Sequence, residues 1–193
     1  MSKTQPIRQL DQLTEFKNYY QTERPNPRNY TLIVLGLNTA LRISDILKIT
    51  WGMVYDFDKE HYHVHLHLTE QKTGKENIIA LNHAVTEALE QFRHTKSDCS
   101  STDFLFPSQK NKGLPISRYQ AYRIIKKAAK ETRLPEHISC HSLRKTFGYH
   151  AWKNGTPPAL LMDIFNHSSY RVTKCYLCIE QDDKDNVFFE MDL

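Results

Sequence analysis

The sequence predicts a mainly α fold carrying a small antiparallel β-sheet, an α+β class in which helices do most of the burial. Three observations carry that expectation. Apolar residues recur at helical spacing, behind polar capping residues, from Leu10 to Ile179. One stretch, His61 to Leu68, alternates strictly between polar and apolar residues. A Lys72-Thr73-Gly74-Lys75 turn follows it and leads into a second short segment, Glu76 to Leu81, that reads as the return strand.

In chain order, residues 1–25 form a short, mostly polar N-terminal segment with a helical pattern at Leu10, Leu13 and Phe16. Pro25-Asn26-Pro27 closes it, and Asn26 caps the next helix with Pro27 at its first position. Tyr30, Ile33, Val34 and Leu37 of that helix are core. Ser44 is a plausible cap for a helix directing Ile46, Leu47 and Ile49 inward, and Arg42 stands just before it. Alone, Arg42 reads either as a surface partner of Asp45 or as an anion ligand at a helix N-terminus.

The alternating stretch puts His61, His63, His65 and His67 on one strand face. Imidazoles two residues apart can share a metal, but no Cys or carboxylate is placed to complete a site. A polar outer face accounts for them, and no metal site is assigned. Val85, Leu89 and Phe92 follow Asn82 as a capped amphipathic helix, and Phe104-Leu105-Phe106-Pro107 is a short apolar strand or turn. Ser117 caps the next helix. It buries Ala121, Ile124 or Ile125, and Ala128, and presents Arg123, Lys126, Lys127 and Lys130, which suit a phosphate backbone. Ser139 opens the helix of His141, Arg144, Phe147 and Ala151, which ends at Asn154-Gly155. Leu160, Leu161, Ile164 and Phe165 point inward from a helix begun at Thr156-Pro157. A last helix behind Ser168 or Ser169 carries Val172, Tyr176 and Ile179 on one face. By periodicity alone Tyr176 is a core tyrosine.

The chain has 193 residues, enough for one well-cored domain. Its 26 Lys+Arg against 22 Asp+Glu leave a net charge of only +4, but the distribution is uneven. Lys110 to Lys153 is strongly basic and the segment after Tyr176 is acidic, so the middle suits a polyanion, or is merely a solvated face. Cys99, Cys140, Cys175 and Cys178 do not make a secreted disulfide framework. No stretch is long and apolar enough for a membrane span or signal peptide, which indicates a soluble protein of a reducing compartment. Cys175-Tyr176-Leu177-Cys178 lacks a second pair at zinc-ribbon spacing, so its cysteines read as packing.

The residue types from Cys140 to Tyr176 form a constellation with chemical meaning. A His and an Arg share a helix face at 141 and 144, and a second His at 167 precedes the tyrosine. Two imidazoles, a guanidinium and a phenol are what phosphoryl transfer through a tyrosine would need. Arg holds phosphate oxygens, His moves a proton near neutrality and Tyr can be a covalent nucleophile.

Taken together these stretches resemble the catalytic domain of the tyrosine recombinases, or phage integrases. Thr39-Ala40-Leu41-Arg42-Ile43-Ser44-Asp45-Ile46-Leu47 is similar to that family's first-arginine box, and Lys72-Thr73-Gly74-Lys75 to its hairpin lysine turn. Phe104 to Pro107, His141-Ser142-Leu143-Arg144-Lys145-Thr146-Phe147, and Phe165-Asn166-His167-Ser168-Ser169 match further boxes in order, and Tyr176 falls at the nucleophile spacing. The resemblance covers roughly residues 26 to 180. It implies the integrase catalytic-domain fold, and a site-specific recombinase that cuts and rejoins double-stranded DNA through a 3′-phosphotyrosine, with no metal, ATP or other cofactor. Arg42 and Arg144 would hold the scissile phosphate, Lys72 would protonate the leaving 5′-oxygen, and His141 would accept the tyrosine proton. His167 would hydrogen-bond the phosphate, and Asp45 would be a supporting acid. DNA contacts are expected from Lys75, Arg118, Arg123, Lys126, Lys127, Lys130 and Lys145. Ala40 and Asn166 replace the family's usual glycines, and Lys145 stands where a His is common.

The organisation expected is a short segment at 1–25, a catalytic domain at 26–178 and a tail at 179–193 docking in cis or in trans. Only about 25 residues precede the catalytic domain, where relatives commonly carry a clamp domain. The chain thus resembles the short recombinases that invert promoter segments, or a fragment of a longer integrase. Modest, salt-dependent DNA affinity follows, with a homotetramer on DNA, a monomer or weak oligomer off it, and accessory DNA-bending proteins as further partners. The location expected is the bacterial cytoplasm, at the nucleoid. Competing readings are a type IB topoisomerase, a non-catalytic DNA-binding regulator of the same fold, and a metal phosphodiesterase using the His61–His67 strand.

Overall fold

The computed structural model describes residues 4–96, 98–134, 137–179 and 181–191, with residue 182 as backbone only. Glu136 of the basic middle, and Glu180, Asp192 and Leu193 of the tail, lie outside the described residues. In chain order the helices α1 (Leu10–Asn18), α2 (Pro27–Asn38) and α3 (Ile43–Ile46) precede four short strands. These are β1 (Tyr55–Asp56), β2 (His61–Tyr62), β3 (His65–Thr69) and β4 (Glu76–Ala80). Then follow α4 (His83–Arg93), α5 (Arg118–Glu131), α6 (Cys140–Lys153), α7 (Pro158–Ile164), α8 (Tyr170–Leu177) and α9 (Gln181–Glu190).

Helix α2 lies at the centre and is apolar from Leu32 to Leu37, with Leu32, Ile33, Val34 and Leu35 fully buried. Helices α1, α3, α4, α5 and α6 all touch it. Its N-terminus is closed by Asn26, whose side chain accepts from the Asn29 amide at 3.0 Å, with Pro27 next. Asn82 and Ser117 cap α4 and α5 in the same way. Ser139 and Ser142 form a reciprocal capping box at the start of α6.

A second, smaller core unites Ala40, Leu161, Phe165 and Leu177 and lies under the face carrying His167 and Tyr176. In α7 and α8 the buried line runs Leu161–Phe165 and Thr173–Leu177, a spacing of four. Leu160 and Val172, expected inward, fall one position off that line and are exposed.

The helical class holds, but one strand and one helix cap need correction. The segment His61–Leu68 is two strands, because it changes partner midway. β2 pairs antiparallel with β1, and the His63 amide still bonds the Val54 carbonyl at 2.9 Å. The Val64 carbonyl already accepts from Leu81, and β3 pairs antiparallel with β4. Two two-stranded sheets result. Arg42, not Ser44, occupies the N-cap position of α3, its carbonyl accepting from the Asp45 and Ile46 amides.

The boundary expected near residue 26 has no counterpart in the packing. Ile7, Phe16, Tyr19 and Tyr20 belong to the main core. The Ile7 amide donates to Thr146 Oγ1 and the His150 ring meets the Ile7 carbonyl, so the N-terminal segment lies along α6. At the other end, α9 is held by Asp183, which pairs with Lys153 at 2.9 Å and Arg8 at 3.8 Å. Val187, Phe188, Phe189 and Met191 beyond it are exposed. Among the described residues no helix is long and apolar enough to cross a membrane.

Candidate active site

Arg144 is the buried centre of the site. It projects from mid-α6 and is 1% exposed. Its guanidinium donates to the Ala40 carbonyl and, at 2.6 Å, to the Phe165 carbonyl. It also lies 4.7 Å from the Phe165 ring centre and 5.6 Å from that of Tyr176. Both carbonyls border left-handed backbone, Ala40 at φ 55° and Asn166 at φ 50°. Glycine adopts that conformation freely. Asn tolerates that conformation well, whereas Ala holds it at some cost in strain. Burial and the nearby Arg42 push the Arg144 pKa down to about 10, which leaves it cationic at neutrality.

Arg42 is 12% exposed in its side chain, and its Nη1 pairs with Glu70 Oε2 at 2.6 Å. Asp45 is buried one helical turn on. Its Oδ1 accepts from the Gln71 amide at 2.9 Å, so it supports the turn that carries Lys72. His141 sits in the first turn of α6 and stays open to the cleft. Partial desolvation there, with Arg144, Lys145, Arg42 and Lys72 around it, lowers its pKa below the ordinary histidine value. The ring is therefore neutral and able to accept a proton.

His167 follows the left-handed Asn166 and is half-buried. Its ring stacks on Phe165 at 5.1 Å, lies 4.7 Å from the Tyr176 ring, and places Nδ1 3.0 Å from Thr173 Oγ1. Burial, then Arg144 and Arg42, push its pKa down to about 4, with Glu70 opposing. Tyr176 occupies the last turn of α8, half-buried over the small core. It lines one cleft with Arg42, Lys72 and His141, while Arg144 and His167 sit against its ring. The six residues singled out in the sequence thus converge.

The cleft is also lined by Arg28, Lys48, Lys110 and Arg118, and among the described residues no Asp or Glu lines it. Arg28 and Gln120 continue into an adjacent hollow with Arg24, Arg123 and Lys127, so one basic surface runs from the site onto α5. Lys130 is exposed on the same helix, Lys126 is half-buried, and Lys75 is exposed on the hairpin turn. Lys145 is a correction. It is buried, its Nζ donating to the Thr4 carbonyl at 2.6 Å and lying 3.5 Å from Cys178 Sγ, so it is not placed to meet DNA. The sequence reading missed this burial because the covering contact comes from Thr4, 141 residues away in the chain.

The sequence reading also missed Arg28, Lys48 and Glu70. Glu70 had a signal, since it continues the inward register of Leu66 and Leu68. A carboxylate at an inward position requires partners.

A buried guanidinium, a second one at the cleft, two imidazoles and a phenol gather beside a basic surface, a set of groups able to support phosphoryl transfer. Residues 7–182 match the phage integrase family, and the chain belongs to that family, the tyrosine-type site-specific recombinases. It is 41% identical over 182 residues to a probable integrase/recombinase, YoeC, of Bacillus subtilis, covering 94% of this chain and 93% of that one. It is 29% identical over 152 residues to the type 1 fimbriae regulatory protein FimE of Escherichia coli, covering 77% and 73%. The fold matches XerA recombinase with a TM-score of 0.79 at 16% identity, over 100% of this chain and 66% of that one. It matches the Tn1549 transposon integrase, solved with transposon right end DNA, with a TM-score of 0.68 at 23% identity, over 100% and 67%.

Proposed function

We propose that this recombinase cuts DNA by attack of the Tyr176 hydroxyl on a backbone phosphorus, the 5′-oxygen leaving as the new bond forms. His141 takes the phenolic proton, and Lys72 gives one to the leaving oxygen, so the products are a 3′-phosphotyrosine and a free 5′-hydroxyl. Attack by another 5′-hydroxyl reverses the step and returns the proton to the tyrosine. One phosphodiester is exchanged for another, so ATP has no part in the balance. Arg42 and Arg144 meet the charge that develops on the non-bridging oxygens, the task a metal ion performs in other strand-cutting sites. His167 places Nδ1 3.0 Å from Thr173 Oγ1; in the tautomer that accepts from that hydroxyl, the neutral ring keeps its proton on Nε2 for a hydrogen bond to the phosphate.

The observation that carries this reading is the placement of Tyr176 at a basic cleft, with both guanidiniums at hand. Arg118, Arg123, Lys127 and Lys130 extend that cleft as a track for the duplex, and Lys75 meets it from the hairpin. The relatives give a frame for assembly. Lambda integrase has been solved as a dimer bound to a core site. For this chain we expect double-stranded DNA as partner and exchange within a homotetramer assembled on it.

The test is a covalent-adduct assay in EDTA, on duplexes from the chain's own locus nicked to trap cleavage. An SDS-resistant protein–DNA band that disappears in Tyr176→Phe supports the reading. A band that persists in that variant overturns the nucleophile assignment. Salt-sensitive DNA binding with no band on any duplex moves the chain to a DNA-binding regulator.

A further inference from the structure

Glu70 is a buried acid paired with Arg42, and no step above uses it. It lies just past the end of β3 and is 1% exposed. Oε2 accepts from Arg42 Nη1 at 2.6 Å and from Thr73 Oγ1 at 2.9 Å, while Oε1 accepts from Asn77 Nδ2 at 3.2 Å. The Asn166 side chain is a further partner. Burial opposes the charge, but these hydrogen bonds outweigh it and hold the carboxyl ionised, below its ordinary range. The Glu70 backbone closes the turn as well. Its amide donates to Lys75, and its carbonyl accepts from Gly74, both at 2.9 Å.

Four parts of the site meet at this one carboxylate. Arg42 stands at the start of α3, and Thr73 is the neighbour of Lys72. Asn77 belongs to β4, and Asn166 is the neighbour of His167. Lys72 itself is exposed and lines the cleft, so its reach depends on how its turn is held. A mobile lysine would deliver its proton over a spread of positions, and a fixed turn narrows that spread.

We infer that Glu70 is a positioning residue for strand transfer: its carboxylate locks the Arg42 guanidinium to the Lys72 turn, so that phosphate clamp and leaving-group acid are set as one rigid unit. The inference rests on the recombinase reading. It differs from a purely stabilising ion pair in one chemical respect. Removing Glu70 must impair protonation of the leaving oxygen more than it impairs the rest of the reaction.

The test compares wild type, Glu70→Ala and the isosteric Glu70→Gln in single-turnover adduct formation on two nicked duplexes. One carries the normal 5′-oxygen at the scissile phosphate, and the other carries sulfur there. A thiolate leaves without needing a proton, so the sulfur duplex bypasses Lys72. On the oxygen duplex Glu70→Ala should lose about 100-fold in rate, the order expected when a catalytic group is misplaced by an ångström. On the sulfur duplex the deficit should shrink to about 10-fold, the part that belongs to Arg42. Glu70→Gln keeps the shape and, with a turned Asn77 amide, most of the hydrogen bonds. It should show the same pattern at smaller size, which keeps the test decisive if the Ala variant does not fold. Equal deficits on both duplexes, or none, in a wild-type background that cleaves both, overturn the role of Glu70 alone. Failure of the wild type to form an adduct on either duplex overturns the recombinase reading together with it.

Discussion

Acidification should weaken this fold through His167, and the size of the effect follows from the site. Burial over the small apolar core, then the charges of Arg144 and Arg42, take its pKa from the ordinary 6.5 to about 4. Between those values the unfolded chain binds a proton that the native ring refuses. Stability therefore rises with pH across this window, and is lost as pH falls from the unfolded value towards the folded one. Going from about pH 7 to about pH 5, the native state should lose roughly 2 kcal/mol on this account, an upper figure because the ring is partly exposed to solvent. Urea unfolding of wild type and His167→Gln at the two pH values isolates the group, since other titrations cancel in the comparison. The wild type should lose more stability than the variant by up to that amount. Equal losses in the two proteins would refute the reasoning, because the ring would then titrate alike folded and unfolded.

Two further outcomes follow from the geometry. An added Cβ at Gly148 in α6 would stand 2.6 Å from Phe165 Cζ, beneath the ring on which His167 stacks. Although Ala is the better helix former, Gly148→Ala should cost about 1–3 kcal/mol in urea unfolding and depress adduct formation, through a displaced Phe165. On α5, removal of both Arg123 and Lys127 should weaken binding evenly across DNA sequences. It should also reduce the slope of log affinity against log salt by about 2, measured by titration at several salt concentrations. An unchanged slope would remove α5 from the DNA track.

What could be read in the sequence was local. Asn26, Asn82, Ser117 and Ser139 announce helix starts because a cap needs only its own next few residues. The Lys72–Lys75 turn is equally local, with Gly74 at φ 66°. The order of the short boxes carried the identity of Arg42, His141, Arg144, His167 and Tyr176. Contacts made at long range could not be read. The partner change at His63–Val64 depends on β1 and β4 together, and the burial of Lys145 on residues at the far end of the chain. Arg144 was legible as a phosphate ligand, but not as the clasp between the Ala40 and Phe165 carbonyls, since nothing in a helical repeat says which distant carbonyls will face it. Glu70 lay between these cases, marked by register but not by partners.

The segment from Thr4 to Ile7 has a consequence for timing. Its bonds to Thr146, Lys145 and His150 span 139, 141 and 143 residues of chain. Contacts of such separation require the largest loops to close and form slowly. They flank the helix that holds His141 and Arg144, which is among the later parts of the chain to be made. A ribosome-bound chain thus carries the cover long before the helix it covers. The polar flank of α6 stays unpaired until the two meet, so the seat of His141 and Arg144 is completed only late in folding.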